Sequence, residues 1–127
     1  MKLVNQIELI EKKSKFYSFA YQIDSVEDVE KILKDLKKDH KKATHICYAY
    51  KITNGQELVK FCDDGEPSGT AGRPILNVIE KKNLTNMAVF VVRYFGGVKL
   101  GAGGLVRIYT KSASTVLGGE NANNKSC

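Results

Sequence analysis

Apolar and polar residues alternate from residue 17 to residue 23, a period that predicts a strand with one buried face. A shorter apolar run at residues 7–10 is the expected partner of this strand. The period then becomes helical, with apolar residues at Val26, Val29, Ile32, Leu33 and Leu36. Ser25 followed by Asp28 resembles a capping box, which places the helix start there. The chain therefore opens with two strands and an amphipathic helix that extends to about Lys38.

A β-hairpin is predicted next. Two strand-like runs, 45–52 and 57–62, flank the pair Asn54-Gly55, which is the strongest short-range hairpin signal. With these two residues as the turn, the register places Cys47 opposite Cys62. We therefore hypothesise that the two thiols are cross-strand neighbours which an oxidant can link.

Three further elements are predicted in the second half of the chain. Pro74 opens an apolar run at 75–79 that predicts a helix, because first-turn amides have no intrahelical partner and a proline is tolerated there. Residues 87–92 are continuously apolar, as in a central strand that is covered on both faces. A last helix is predicted from Leu105 to about Leu117. The order β-β-α-β-β-α-β-α predicts an α+β two-layer sandwich, with a mixed sheet and its helices on one face.

The composition suits a single domain. The chain has 127 residues, of which 43% are hydrophobic and 27% charged, so we expect one domain at 1–117 and a polar, disordered tail at 118–127. The first residues lack the apolar core of a leader peptide, and no stretch approaches the roughly 20 apolar residues of a membrane span. We therefore expect a cytoplasmic protein without membrane contact. Three cysteines without C-x-x-C spacing argue against a disulfide framework or a zinc knuckle.

The positive charge is unevenly distributed. The net charge is +6, and residues 81–111 contain no acid but six cations: Lys81, Lys82, Arg93, Lys99, Arg107 and Lys111. Cations neutralise phosphates and aromatic faces stack on exposed bases, so a basic run with interleaved aromatic residues favours a polyanion. The candidate RNA-binding or partner-binding residues are Arg93, Tyr94, Lys99, Arg107 and Lys111. A solvated basic face is the equal alternative, and no sequence-specific contact with DNA is expected.

Eight of the 11 glycines lie in two blocks, residues 63–74 and 93–105. Glycine permits positive φ and close backbone approach, and its clustering before two predicted helices marks these blocks as the first place to look for a site. The second block lacks the last glycine of G-x-G-x-x-G and the Lys-Ser/Thr pair of a P-loop. A dinucleotide fingerprint and a Walker loop are therefore both excluded.

The first block offers two kinds of chemistry. Its backbone amides precede a predicted helix, the geometry that receives a phosphate or carboxylate, at Gly69, Thr70, Ala71, Gly72 and Arg73. Asp63, Asp64 and Glu66 are candidate ligands for a magnesium ion or candidate acid–base groups. The simpler interpretation, which we favour, is that these acids form structural ion pairs or caps.

Both blocks resemble the signature of the Impact/YigZ family in the segments Asp63-Asp64-Gly65-Glu66-Pro67-Ser68-Gly69-Thr70-Ala71-Gly72, Arg93-Tyr94-Phe95-Gly96-Gly97 and Leu100-Gly101-Ala102-Gly103-Gly104-Leu105-Val106-Arg107. The resemblance extends upstream through residues 43–50 and covers nearly the whole chain. It implies the α+β sandwich of the second domain of ribosomal protein S-five. It also implies a role in translation, because eukaryotic Impact proteins regulate translation under amino-acid starvation.

Two functional hypotheses follow. The first is a non-enzymatic binding module in translational regulation and the stress response, which contacts RNA, the ribosome or a ribosome-associated protein through the basic, glycine-rich surface. The rival is a metal-dependent enzyme or phosphate-ligand binder that uses Asp63, Asp64, Glu66 and the amides of 69–73. The first hypothesis requires no cofactor and no catalytic residue. A third interpretation is that the glycines only allow a tight junction between sheet and helices.

Overall fold

The fold consists of five strands and three helices in the predicted order. In this computed structural model, which describes residues 1–118, the elements are β1 (Lys2–Glu11), β2 (Ser14–Gln22), α1 (Val26–Asp39), β3 (His45–Ile52), β4 (Leu58–Cys62), α2 (Gly72–Lys81), β5 (Met87–Tyr94) and α3 (Gly101–Val116). The α+β class is confirmed. No helix among residues 1–118 is long and apolar enough to cross a membrane. Apart from Gly118, the tail predicted at 118–127 lies outside the described residues.

The sheet is antiparallel throughout, so the expectation of a mixed sheet is wrong. Its strand order is β1-β2-β5-β3-β4, and all four pairings are antiparallel. The reason is topological: two hairpins supply β1–β2 and β3–β4, and β5 enters between them in the opposite direction to both of its neighbours. β5 is therefore the central strand, as its continuous apolar run predicts.

Helices cover both faces of the sheet, so the expectation of two layers with helices on one face is also wrong. Val89 and Val91 of β5 pack with α2 and α3, whereas Ala88, Phe90 and Val92 pack with α1. A central strand with apolar residues on both faces needs a cover on each side to remove them from water. The architecture is three-layered. The layer formed by α2 and α3 contains the C-terminal end of each glycine block, because the first block ends in α2 and the second ends in α3.

The hairpin register differs by one residue from the prediction. Ile52 pairs with Leu58 across a five-residue connection, which places Tyr48, not Cys47, opposite Cys62. Adjacent residues of a strand point to opposite faces, so the two thiols lie on opposite sides of the sheet. The cross-strand thiol hypothesis is therefore wrong. The side-chain amide of Asn54 instead donates to the carbonyl of Asp24 at 2.7 Å.

The starts of α1 and α3 can be compared with the starts that the sequence predicts. The hydroxyl oxygen of Ser25 accepts a hydrogen bond from the amide of Asp28 at 3.3 Å, which confirms the predicted cap of α1. α3 begins at Gly101 rather than at Leu105, so the end of the second glycine block is already helical.

The β1–β2 turn is formed by Lys12 and Lys13 alone. Both residues have positive φ, 45° and 71°, which a tight two-residue hairpin requires but which lysine rarely adopts. A Cβ at residue 96 would overlap the Lys13 carbonyl, so only glycine allows this turn to lie against the second glycine block. The Ser14 hydroxyl accepts from the amide of Gly96 at 3.2 Å and holds the contact in place.

Candidate functional site

The two glycine blocks meet at one groove of about 400 Å³, which we call the central groove. Its walls are supplied by the segment before β3, by both glycine blocks and by the first turns of α3, as Thr44, His45, Glu66, Pro67, Arg93, Phe95, Lys99, Leu100, Gly101, Ala102 and Leu105. Most of this lining is apolar, and two of its polar side chains, His45 and Arg93, lie beside Glu66. Pockets of this kind, apolar with a few placed polar groups, are typical of binding sites.

A buried ion pair forms the floor of the central groove. Arg93 Nη1 lies 3.0 Å and 2.8 Å from the two carboxylate oxygens of Glu66, and the two residues are 4% and 7% exposed. Nη2 donates to the hydroxyl of Ser14 at 3.2 Å. The guanidinium also lies 5.4 Å from the ring centroids of both Phe16 and Phe95. These contacts fix Arg93 as a structural cation, so the prediction that it lies on an exposed basic surface is wrong.

Two buried neutral donors, Tyr109 and Cys47, extend the hydrogen-bond network behind Glu66. The Tyr109 hydroxyl donates to Glu66 at 2.5 Å, and the Cys47 thiol lies 3.5 Å from that hydroxyl and donates to the carbonyl of Asp63 at 3.1 Å. Burial is the main cause that raises the pKa of Tyr109 and of Cys47 far above their ordinary values. Both groups therefore remain protonated at neutral pH, and the Cys47 thiolate needed for nucleophilic chemistry is disfavoured.

His45 stands at the wall of the groove. Its Nδ1 lies 2.8 Å from the carbonyl oxygen of Asp64, so that nitrogen carries the proton of this hydrogen bond. Its Nε2 lies 3.5 Å from Glu66 Oε1. His45 is thus held by the first glycine block and closes the groove beside the ion pair.

The predicted anion site at the start of α2 already holds a carboxylate of this chain. Asp63 accepts hydrogen bonds from the amides of Gly69 at 3.0 Å, Ala71 at 3.2 Å and Gly72 at 2.8 Å. The Thr70 hydroxyl donates to a backbone carbonyl, and Arg73 is exposed above the ring of Phe61. The geometry expected for Gly69, Thr70, Ala71, Gly72 and Arg73 is therefore present, but the chain's own acid satisfies the amides.

The three acids of the first block are separated by their partners. Asp64 accepts from the amide of Ile46 at 2.7 Å, Asp63 caps α2, and Glu66 pairs with Arg93. No group of three or more histidine, cysteine or acidic side chains within residues 1–118 is arranged to hold a metal ion. Every one of the three carboxylates thus serves a protein donor.

The predicted RNA-binding or partner-binding residues are divided among three grooves. Lys99 lies at the central groove, and Arg107 and Lys111 line a second groove of about 210 Å³, which we call the basic groove. The remaining lining of the basic groove is Glu11, Lys12, Leu100, Gly104 and Ile108. Leu100 lines both this groove and the central groove.

Tyr94 lies on the opposite side of β5, in a third groove of about 500 Å³ that we call the aromatic groove. This groove is lined by Lys13, Lys15, Tyr17, Asp39, His40, Tyr94 and Phe95. The hydroxyl of Tyr94 lies 2.6 Å from Nδ1 of His40. Sequence reasoning missed Lys12, Lys13 and Lys15, although a lysine pair between two strand patterns was a signal for a charged turn.

Comparison with known proteins identifies relatives along nearly the whole chain. The family model described as Impact N-terminal domain matches residues 12–117. IMPACT family member YvyE of Bacillus subtilis is 43% identical over 117 residues, which cover 92% of this chain and 54% of that protein. The chain spans about half the length of the curated bacterial relatives it matches, 54%, 52% and 53% in three of them.

Two solved structures share the fold. The crystal structure of a hypothetical protein matches with a TM-score of 0.84 and 33% identity, over 89% of this chain and 56% of that one. The structure of the two-domain translational regulator Yih1 matches with a TM-score of 0.53 and 26% identity, over 90% of this chain and 45% of that one.

Proposed function

The chain belongs to the Impact family, and from this premise we propose that it is a binding module in the regulation of translation that contacts RNA or the ribosome through the basic groove. The role in translation is supported by the likeness to Yih1, which is described as a translational regulator. Binding rather than catalysis is supported by the network around Glu66, because its carboxylate is engaged by Arg93 and by the buried Tyr109 hydroxyl, which in turn lies beside the Cys47 thiol.

The observation that carries the proposal is the convergence of three cations at the basic groove. Arg107 and Lys111 are one helical turn apart on the exposed side of α3, and Lys12 reaches the same groove from the β1–β2 turn. Glu11 is the acid of this lining. Clustered, solvated cations from two elements are the electrostatic footprint of a phosphate backbone.

Ribosome cosedimentation tests the proposal. If three cations neutralise three phosphates of a single strand, the salt slope is about −2, and raising the salt from 50 to 200 mM weakens binding about 20-fold. The double variant Arg107→Ala with Lys111→Ala is expected to reduce the size of the salt slope by about 1.4. A matched control, Lys34→Ala with Lys37→Ala, removes two exposed cations from α1 and is expected to bind like the unaltered chain.

Three results would refute the proposal: no association with ribosomes or RNA at low salt, association that is indifferent to salt, or equal effects of the two double variants. Arg93→Ala is unsuitable for this test, because it leaves the buried Glu66 without its cation and so perturbs the fold as well as the surface.

A further inference from the structure

We infer that the nucleic acid is single-stranded at this surface, and that it crosses the Lys12–Lys13 turn with one base stacked on Phe95 in the aromatic groove. This inference rests on the proposed function and specifies its ligand. It adds Lys13, Lys15 and Phe95 to the binding residues and assigns the aromatic groove to a base.

The turn joins two grooves of different chemistry. Lys12 lines the basic groove and Lys13 lines the aromatic groove, so a chain that follows the lysines passes from one groove to the other. Together the two grooves contain five lysine or arginine side chains against the carboxylates of Glu11 and Asp39. This excess of positive charge suits a backbone that carries one phosphate for each nucleotide.

The lysines are presented on a fixed support. The backbone of Lys13 lies directly against Gly96, and the Ser14 hydroxyl accepts from both Gly96 N and Arg93 Nη2 at 3.2 Å. Both turn residues have positive φ, so the tight turn forms with two lysines in positions that glycine or asparagine usually occupies. Because the backbone that presents these lysines is already ordered beside an aromatic surface, it loses little further conformational entropy on binding.

Phe95 has the geometry of a stacking platform. The residue is 46% exposed although it follows a buried strand, and the guanidinium of Arg93 lies 5.4 Å from the centroid of its ring. Tyr17 and Tyr94 extend the aromatic surface, with centroids 5.8 Å apart in an edge-to-face arrangement. The hydroxyl of Tyr94 is engaged by His40, which leaves ring faces as the main recognition elements. Ring faces bind bases that are not already paired and stacked in a duplex.

Fluorescence anisotropy with a labelled ten-nucleotide RNA tests this inference. The single strand is expected to bind more tightly than the same RNA in a duplex. Phe95→Leu, which keeps an apolar side chain but removes the flat ring, is expected to weaken binding about tenfold. Phe95→Tyr, which keeps a flat ring, is expected to bind the RNA as tightly as the unaltered chain does. Phe61→Leu is the matched control, because Phe61 is 42% exposed, also lies beside an arginine, and is on β4 at the far edge of the sheet.

Lys13→Ala with Lys15→Ala provides a second variant, which leaves the contact between Phe95 and Arg93 in place. If these two lysines and the three cations of the basic groove each hold one phosphate, the salt slope is about −3.5, and this variant is expected to bring it to about −2. The inference is overturned if the duplex binds as tightly as the single strand, if Phe95→Leu and Phe61→Leu have equal effects, or if polyglutamate competes as well as unlabelled RNA. Salt-dependent ribosome association together with any of these results overturns the stacking site alone. Absence of both ribosome and RNA binding overturns the proposed function and this inference together.

Discussion

Replacing Arg93 with methionine is expected to destabilise the protein by about 3–5 kcal/mol, the usual cost of removing one partner of a buried ion pair. The side chains of Glu66 and Arg93 are 2% and 5% exposed, so neither charge is hydrated by bulk water. Methionine preserves much of the packing between Phe16 and Phe95, so the effect reports mainly the lost charge and its hydrogen bonds to Glu66 and Ser14. Glu66 would retain the Tyr109 hydroxyl as its close donor while remaining buried.

A second substitution separates the ion pair from packing. Adding Glu66→Gln to the Arg93→Met background removes the unpaired charge, and we expect it to recover about 2 kcal/mol of unfolding free energy. The pair of Lys51 and Glu57, at 3.9 Å, is the control: their side chains are 23% and 61% exposed, so water screens the pair and Lys51→Met is expected to cost less than about 1 kcal/mol.

Urea denaturation at pH 7 measures these differences. With an m-value near 2 kcal/mol/M, a loss of 4 kcal/mol moves the midpoint by about 2 M. The reasoning fails if Arg93→Met costs no more than Lys51→Met, or if Glu66→Gln destabilises the Arg93→Met background further instead of rescuing it.

Three further outcomes are expected. Gly96→Ala should cost about 1–3 kcal/mol because its Cβ meets a backbone carbonyl, whereas Gly103→Ala in α3 should be neutral or stabilising; equal thermal shifts would contradict this. Peptide mapping after thiol labelling should find Cys62 modified in the folded protein and Cys47 only after unfolding; simultaneous labelling would contradict the burial of Cys47. Above about pH 10, where tyrosines of the unfolded chain ionise, the free energy of unfolding should fall with pH because the pKa of Tyr109 is raised in the folded state. In Tyr109→Phe this fall should be shallower by about 1.4 kcal/mol per pH unit. An unchanged slope would contradict the raised pKa.

Most elements of the fold could be predicted from local sequence patterns. The Ser25 cap, the apolar run of β5 and the proline of α2 each act within one element, so the sequence alone was enough to predict them. The layers were missed although the sign was present: a strand that is apolar on both faces already requires helices on both sides. The hairpin register was missed because Asn54 bonds to Asp24, a distant residue, instead of forming a two-residue turn.

The candidate site was only partly accessible from sequence. The burial of Arg93 follows from strand alternation, since it is two residues beyond Val91 and therefore on the same face of β5. Its pairing with Glu66 joins residues 27 positions apart and needed the folded chain. Asp63 lies within nine residues of the amides it caps, so an acid just upstream of a glycine-rich helix start was a usable signal.

The position of β5 has a consequence for biosynthesis. Among the described residues, the β1–β2 and β3–β4 hairpins are joined within the sheet through this strand alone, and it is the last of these five strands to be translated. At about 5–20 residues per second, the roughly 30 residues between the end of β4 and the end of β5 take several seconds to emerge. During that interval β2 and β3 both present open strand edges, which are sites of misassociation. The speed of elongation through α2 is therefore expected to influence how much of the nascent chain reaches the native sheet before it aggregates.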